Sequence, residues 1–252
     1  MVMQTEKGLT FHILGDGPEA VMCHASLGLG RFLFHRVAPR WASRYTVVTW
    51  DPRGIGDNRS MAPSMEGLVE DARDILVMVD RPTHLVGVSL GSFVMARVAA
   101  EGDPRIATVA LVSTTLGFRD GLKISAQKSE EIFAVGMAEY ARRYAKAVLT
   151  EFCSAEVSQN LYEEMADVAP GAYIETMKLT YQADNGPIFA EVSQPTLVVV
   201  GTLDDRTPPA EAELAARVLP NSWLAVVPRA GHLIPLDQPT RLDEILQEFW
   251  QS

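Results

Sequence analysis

At 252 residues, 47% hydrophobic and 21% charged, the chain has the composition of a folded protein with a sizeable core and not of a disordered or fibrous one. Its formal net charge of −10, with no Lys/Arg cluster longer than Arg142-Arg143, excludes the concentrated positive charge that nucleic acids and anionic membrane surfaces require. The N-terminus carries no apolar stretch after a basic start, and no run of about 18 apolar residues occurs, so the expectation is a soluble, cytoplasmic protein.

In chain order, "LTFHIL" reads as a strand, "GDGP" as a turn and "EAVMCH" as a second apolar strand ending near His24. "RFLFHRVAPRWASR" has apolar residues at helical spacing, interrupted by Pro39, and "YTVVTWD" is a short β-branched strand. The stretch "MEGLVEDARDILVMVD" places Leu68, Ala72, Ile75, Leu76 and Val79 on one helical face, with Ser64 as N-cap. "THLVGV" is a buried strand, "GSFVMARVAAEG" a helix, and "IATVALVST" a strand without polar alternation, as suits a parallel strand covered on both faces. This alternation predicts a mostly parallel, doubly wound α/β sheet.

Between Thr115 and Phe189 the strand signal vanishes and helical periods such as "SEEIFAVGMAEYARRYAKAVLTEF" and "SQNLYEEMADVA" take over. Residues 115–189 are therefore expected to form a helical unit inserted in a core made of residues 1–114 and 190–252. The insertion holds five of the six tyrosines, material either for packing helices on the sheet or for lining an apolar pocket. The α/β rhythm resumes with "PTLVVVGTLD", "PAEAELAARVL", "SWLAVVP" and "RLDEILQEFWQ".

Chemistry enters at "GVSLG", where Ser89 stands between a strand and a helix. In that context a serine can occupy a sharp turn, with Gly87 and Gly91 letting strand and helix approach, and the helix N-terminus favours developing negative charge. A nucleophilic serine also needs a base and an orienting acid. Of the five histidines only His232 follows Ser89, in "PRAGHLIPLDQP" after the last strand. Asp204 and Asp205 follow the preceding strand, and Asp204, three residues beyond Gly201, is the chosen acid. Two backbone donors are expected for an oxyanion: the N–H of Leu90 and that of Ser26, with Leu27 as fallback. His24 is read as structural, as are Asp51 and Arg53. Cys23 and Cys153 lack metal-binding spacing and are read as reduced thiols, and neither a metal nor an organic cofactor is called for.

The pieces "GDGPEAVMCHASLG", "WDPRGIG", "VGVSLGS", "GTLDDRTPP" and "AGHLIPLDQP", in this order over nearly the whole chain, resemble the serine hydrolases of the α/β-hydrolase superfamily. The resemblance implies an α/β-hydrolase fold with a helical cap, nucleophile Ser89, acid Asp204, base His232 and oxyanion donors Ser26 and Leu90. Within the superfamily the chain is similar to 3-oxoadipate enol-lactonase-like and haloperoxidase-like esterases, in "SLG", the short cap and D-x-x-T-P-P. It departs at "HAS", where Ala25 puts a methyl in place of the usual glycine. The implied activity is hydrolysis of a small carboxylic ester or lactone. The alternatives are a thioesterase or carbon-carbon lyase on the same residues, or a ligand-binding protein without turnover. An enol-lactone would need a cation for its carboxylate, and Arg31, Arg119, Arg142 and Arg143 are the candidates. The expected partner is a small molecule.

Overall fold

The computed structural model describes residues 1–251. Eight strands form one sheet: β1 (Val2–Gln4), β2 (Thr10–Leu14), β3 (Ala20–His24), β4 (Thr46–Trp50), β5 (Thr83–Val88), β6 (Ile106–Val112), β7 (Thr196–Gly201) and β8 (Ser222–Val227). Their order is β1-β2-β4-β3-β5-β6-β7-β8. The first two pairings are antiparallel and all the others parallel. Strands β3, β5 and β7 are buried along their whole length, which is why they read as continuous apolar runs.

Early in the chain come the helices α1 (Ala38–Trp41), α2 (Met65–Val79) and α3 (Leu90–Ala100). Between β6 and β7 lie α4 (Gly121–Val135), α5 (Met137–Val148), α6 (Ala155–Ala166), α7 (Pro170–Tyr181) and α8 (Gly186–Phe189). The chain closes with α9 (Pro209–Val218), α10 (Ile234–Asp237) and α11 (Pro239–Trp250).

From β3 the chain steps to β4 on one side, and from β5 it steps to β6 on the other. Right-handed crossovers then put α1 and α3 on opposite faces of the sheet. The helix α2 behaves as its sequence predicts: Ser64 Oγ accepts from the Gly67 N–H at 3.0 Å, and all five residues of the predicted face are buried. It stops where Asp80 turns left-handed, φ 45°.

Three local readings are corrected. The segment around Pro39 is a 3-10 turn (Arg31–Phe34) followed by the single turn α1, with Pro39 in its first turn, where a missing N–H costs nothing. The long period after Ser129 breaks at Gly136, which ends α4 with a φ of +79° and also stands at the start of α5. The strand β1 was not foreseen, because its three residues carry no alternation to read.

Candidate active site

The sheet order turns back between β3 and β5, and their carboxyl ends lie side by side. In an open parallel sheet this is where a crevice forms. Ser89 sits at that point, with φ 54° and ψ −116°, a conformation that costs a non-glycine residue about 1–3 kcal/mol. The surroundings hold it there: the Ser89 N–H donates to the Val112 carbonyl (2.8 Å), and its own carbonyl accepts from the Ser92 N–H (2.8 Å) and Ser92 Oγ (2.5 Å). The Ser89 hydroxyl does not cap α3, which leaves it available to the crevice.

The two motif glycines have steric tasks. A Cβ on Gly87 would fall into the Gly91 carbonyl, and one on Gly91 into the His24 carbonyl. The second contact brings the start of α3, where Leu90 stands, against the loop after β3 that carries Ser26. Ala25 does not have a positive φ, so its methyl needs no glycine-like backbone there. Gly28, at φ +73°, stands against the Tyr173 ring of α7, and a Cβ there would fall into the ring's Cε2 and Cδ2 atoms. The buried His24 ring donates from Nδ1 to the Ala25 carbonyl (3.0 Å), and burial pushes its pKa down to about 4, so it is neutral at pH 7.

Beyond β7, the Asp204 carboxylate is enclosed by donors. Oδ1 accepts from the N–H groups of Arg206 and Thr207 (both 3.0 Å), and Oδ2 from Thr207 Oγ1 (2.8 Å). His232 Nδ1 completes the set at 3.1 and 3.0 Å. Burial alone would raise the Asp204 pKa, but the hydrogen bond and charge of His232, joined by Thr207, outweigh it and hold the carboxyl below its ordinary range. The His232 loop is pinned twice: Ser113 Oγ donates to the His232 carbonyl (2.8 Å), and the Gly231 N–H donates to Asp237 Oδ2 (2.8 Å). Asp237 Oδ1 in turn accepts from the N–H and hydroxyl of Thr150, both at 3.1 Å, tying this loop to the inserted helices.

Ser89, His232, Ser26 and Leu27 line one cleft of about 320 Å³, closed on its far side by Phe118, Ile124, Lys128, Tyr144 and Tyr181 of the insertion. Asp205 is exposed at the same cleft and makes no hydrogen bond to His232. Arg206 lines it too, its guanidinium 4.7 Å from the centre of the Tyr144 ring.

The arginines singled out from sequence lie elsewhere. Arg31 borders a separate groove of about 820 Å³, its Nε 3.8 Å from Asp51 and 3.9 Å from Asp57. Arg142 and Arg143 are on the exposed face of α5, paired with Glu139 and, for Arg143, also with Glu131. Arg119 is exposed outside the cleft lining. The cations facing the cleft are Arg206 and Lys128, which sequence reasoning passed over. The one available signal was the position of Arg206, two residues after Asp204. Asp51 and Arg53 hold loops together: Asp51 accepts from the N–H groups of Arg31 and Asp57, and Arg53 makes two 2.7 Å bonds to Asp71.

A family model described as the alpha/beta hydrolase family matches residues 20–245. The chain belongs to this family. Among curated relatives of this hydrolase, 3-oxoadipate enol-lactonase 1 of Acinetobacter baylyi is 24% identical, the match covering 100% of this chain and 97% of that protein. The pimeloyl-[acyl-carrier protein] methyl ester esterase of Aeromonas hydrophila is 26% identical, over 93% and 96% of the two chains. The bromoperoxidase of Bacillus anthracis superimposes with a TM-score of 0.91 over 100% of both chains at 17% identity, a likeness of fold. The fold is that of the α/β hydrolases, and the relatives named for ester and lactone substrates support an enzyme that hydrolyses esters.

Proposed function

We propose that the protein hydrolyses a small carboxylic ester or lactone through an acyl-enzyme on Ser89. In this mechanism His232 Nε2 takes the proton as Ser89 Oγ attacks the carbonyl carbon. Asp204 holds the imidazole by Nδ1 and stabilises the imidazolium that forms, while the N–H groups of Leu90 and Ser26 receive the oxyanion. Collapse expels the alcohol, protonated by His232, and a water activated by the same imidazole then releases the acid. The inserted residues 115–189 act as a cap that walls the cleft and limits substrate size, since about 320 Å³ is at the small end for a ligand pocket.

The observation that carries this reading is the buried pairing of His232 Nδ1 with Asp204. It leaves the other face of the ring to the cleft where Ser89 waits in a strained, over-determined turn. The test is pre-steady-state hydrolysis of p-nitrophenyl acetate by wild type and Ser89→Ala. A stoichiometric burst followed by turnover in wild type, absent from the variant, is expected. A Ser89→Ala variant that keeps wild-type turnover refutes the assignment, and binding without multiple turnover would point to a ligand-binding protein.

A further inference from the structure

Most arginines of this acidic chain spend their charge on a neighbouring carboxylate. Arg206 does not. Among the described residues, no carboxylate oxygen lies within 4 Å of its guanidinium or of the Lys128 ammonium. Both are partly buried and both line the cleft that contains Ser89 and His232. Tyrosine rings position them: Arg206 stands over Tyr144 at 4.7 Å and Lys128 over Tyr181 at 5.9 Å. An aromatic face attracts a cation without neutralising it. The two charges also feel each other: burial and then the repulsion of Arg206 lower the Lys128 pKa, against a smaller opposing pull from Glu131. Asp205 is the one carboxylate among the lining residues, and it is exposed.

Two converging, uncompensated cations in a small, partly dehydrated cleft are costly unless an anion joins them. We propose that Arg206 and Lys128 form an anion subsite, and that the substrate is an ester or lactone carrying a free carboxylate a few bonds from the scissile carbonyl. The planar guanidinium fork suits a carboxylate in two-point contact, and the ammonium supplies a second, adjustable donor. The subsite is built into the catalytic loop, since the Arg206 N–H is one of the donors that hold Asp204. This substrate class rests on the hydrolase reading above.

The test compares p-nitrophenyl hydrogen succinate with the neutral p-nitrophenyl pentanoate, reading the ratio of kcat/KM for the two esters. Wild type should favour the anionic ester by about 100-fold, the scale of charge-assisted hydrogen bonds. Arg206→Gln should bring the ratio close to one, Arg206→Lys should restore part of it, and Lys128→Gln should lower it about tenfold. A wild type without preference, or an Arg206→Gln variant that loses both substrates equally, overturns the subsite while leaving the hydrolase reading intact. If wild type hydrolyses neither ester, the hydrolase reading fails, and calorimetry with succinate decides the subsite alone. Binding weakened at least tenfold in Arg206→Gln upholds it, and equal or absent binding overturns it.

Discussion

The substitution Asp204→Asn isolates what the carboxylate does for His232. Oδ1 accepts two backbone N–H bonds, from Arg206 and Thr207, so the amide oxygen of an asparagine must take that place. The amide nitrogen is then forced to the Oδ2 position, facing Thr207 Oγ1 and His232 Nδ1. There it donates to Nδ1, which drives the imidazole proton to Nε2, the atom that accepts the proton of Ser89 in the proposed mechanism. The pocket keeps its shape, but the base presents a hydrogen where it needs a lone pair, and the imidazolium loses its counter-charge. A tautomeric block of this kind costs about 10⁴-fold in kcat, or about 5.5 kcal/mol. Steady-state kinetics on a short aryl ester measures it, with circular dichroism to verify the fold. Asp205→Asn, at an exposed carboxylate without a bond to His232, should change kcat less than about threefold. A loss below about tenfold in Asp204→Asn, or a larger loss in Asp205→Asn, refutes the reasoning. Stability carries a second sign: because the fold lowers the Asp204 pKa, its ionisation stabilises the protein above the unfolded-state value. That contribution disappears as the pH falls through the folded value, so the stability gap between wild type and Asp204→Asn should narrow towards low pH.

Ser89→Ala and His232→Ala should each lower kcat by about 10⁴-fold or more, and the double variant should lose little beyond either, because the proposed mechanism uses the groups as one unit; additive losses in the same assay would separate them. Arg53→Gln leaves the buried Asp71 without its partner and should cost about 3 kcal/mol in urea unfolding at pH 7.5. Burial first, against the pull of Arg53, already raises the Asp71 pKa in the fold, so this loss should shrink as the pH is lowered and the carboxyl takes up its proton. Asp237→Asn turns one of three accepted N–H or O–H bonds into a clash of donors beside Gly231 or Thr150. It should lower the stability by about 1–3 kcal/mol and, by loosening the loop of His232, reduce kcat more than it changes KM.

The central strands were legible because burial on both faces leaves β3, β5 and β7 no room for polar alternation. The helix α2 was legible because a cap and a five-residue face agree, whereas β1 was not, since three residues at an antiparallel edge owe their pairing to Thr10–Leu14 and not to their own pattern. Pro39 is visible as an interruption, whereas Gly136 reads as part of one helical period, because apolar spacing continues on both sides of it. The likeness of Ser89, Asp204 and His232 to a hydrolase constellation came from motif order, which constrains residues that must meet at the ends of particular strands.

The arginines show where such reading stops. A sequence displays every cation but not its partners, and Arg142 and Arg143 drew attention through their place in the insertion, though helical spacing to Glu139 is enough to pair them on the surface. Arg206 has no acid at helical spacing and stands in a loop, so its direction is decided by the bonds around Asp204. Its own N–H and that of Thr207 turn towards the carboxylate, and its side chain lies on Tyr144, more than sixty residues earlier in the chain. The bonds that hold Asp204 beside His232 are therefore also the bonds next to the cation that lines the cleft. Under the proposed mechanism, a well-held Asp204 and an anion subsite at Arg206 depend on the same few bonds, so specificity and catalysis would be tied at a distance of two residues.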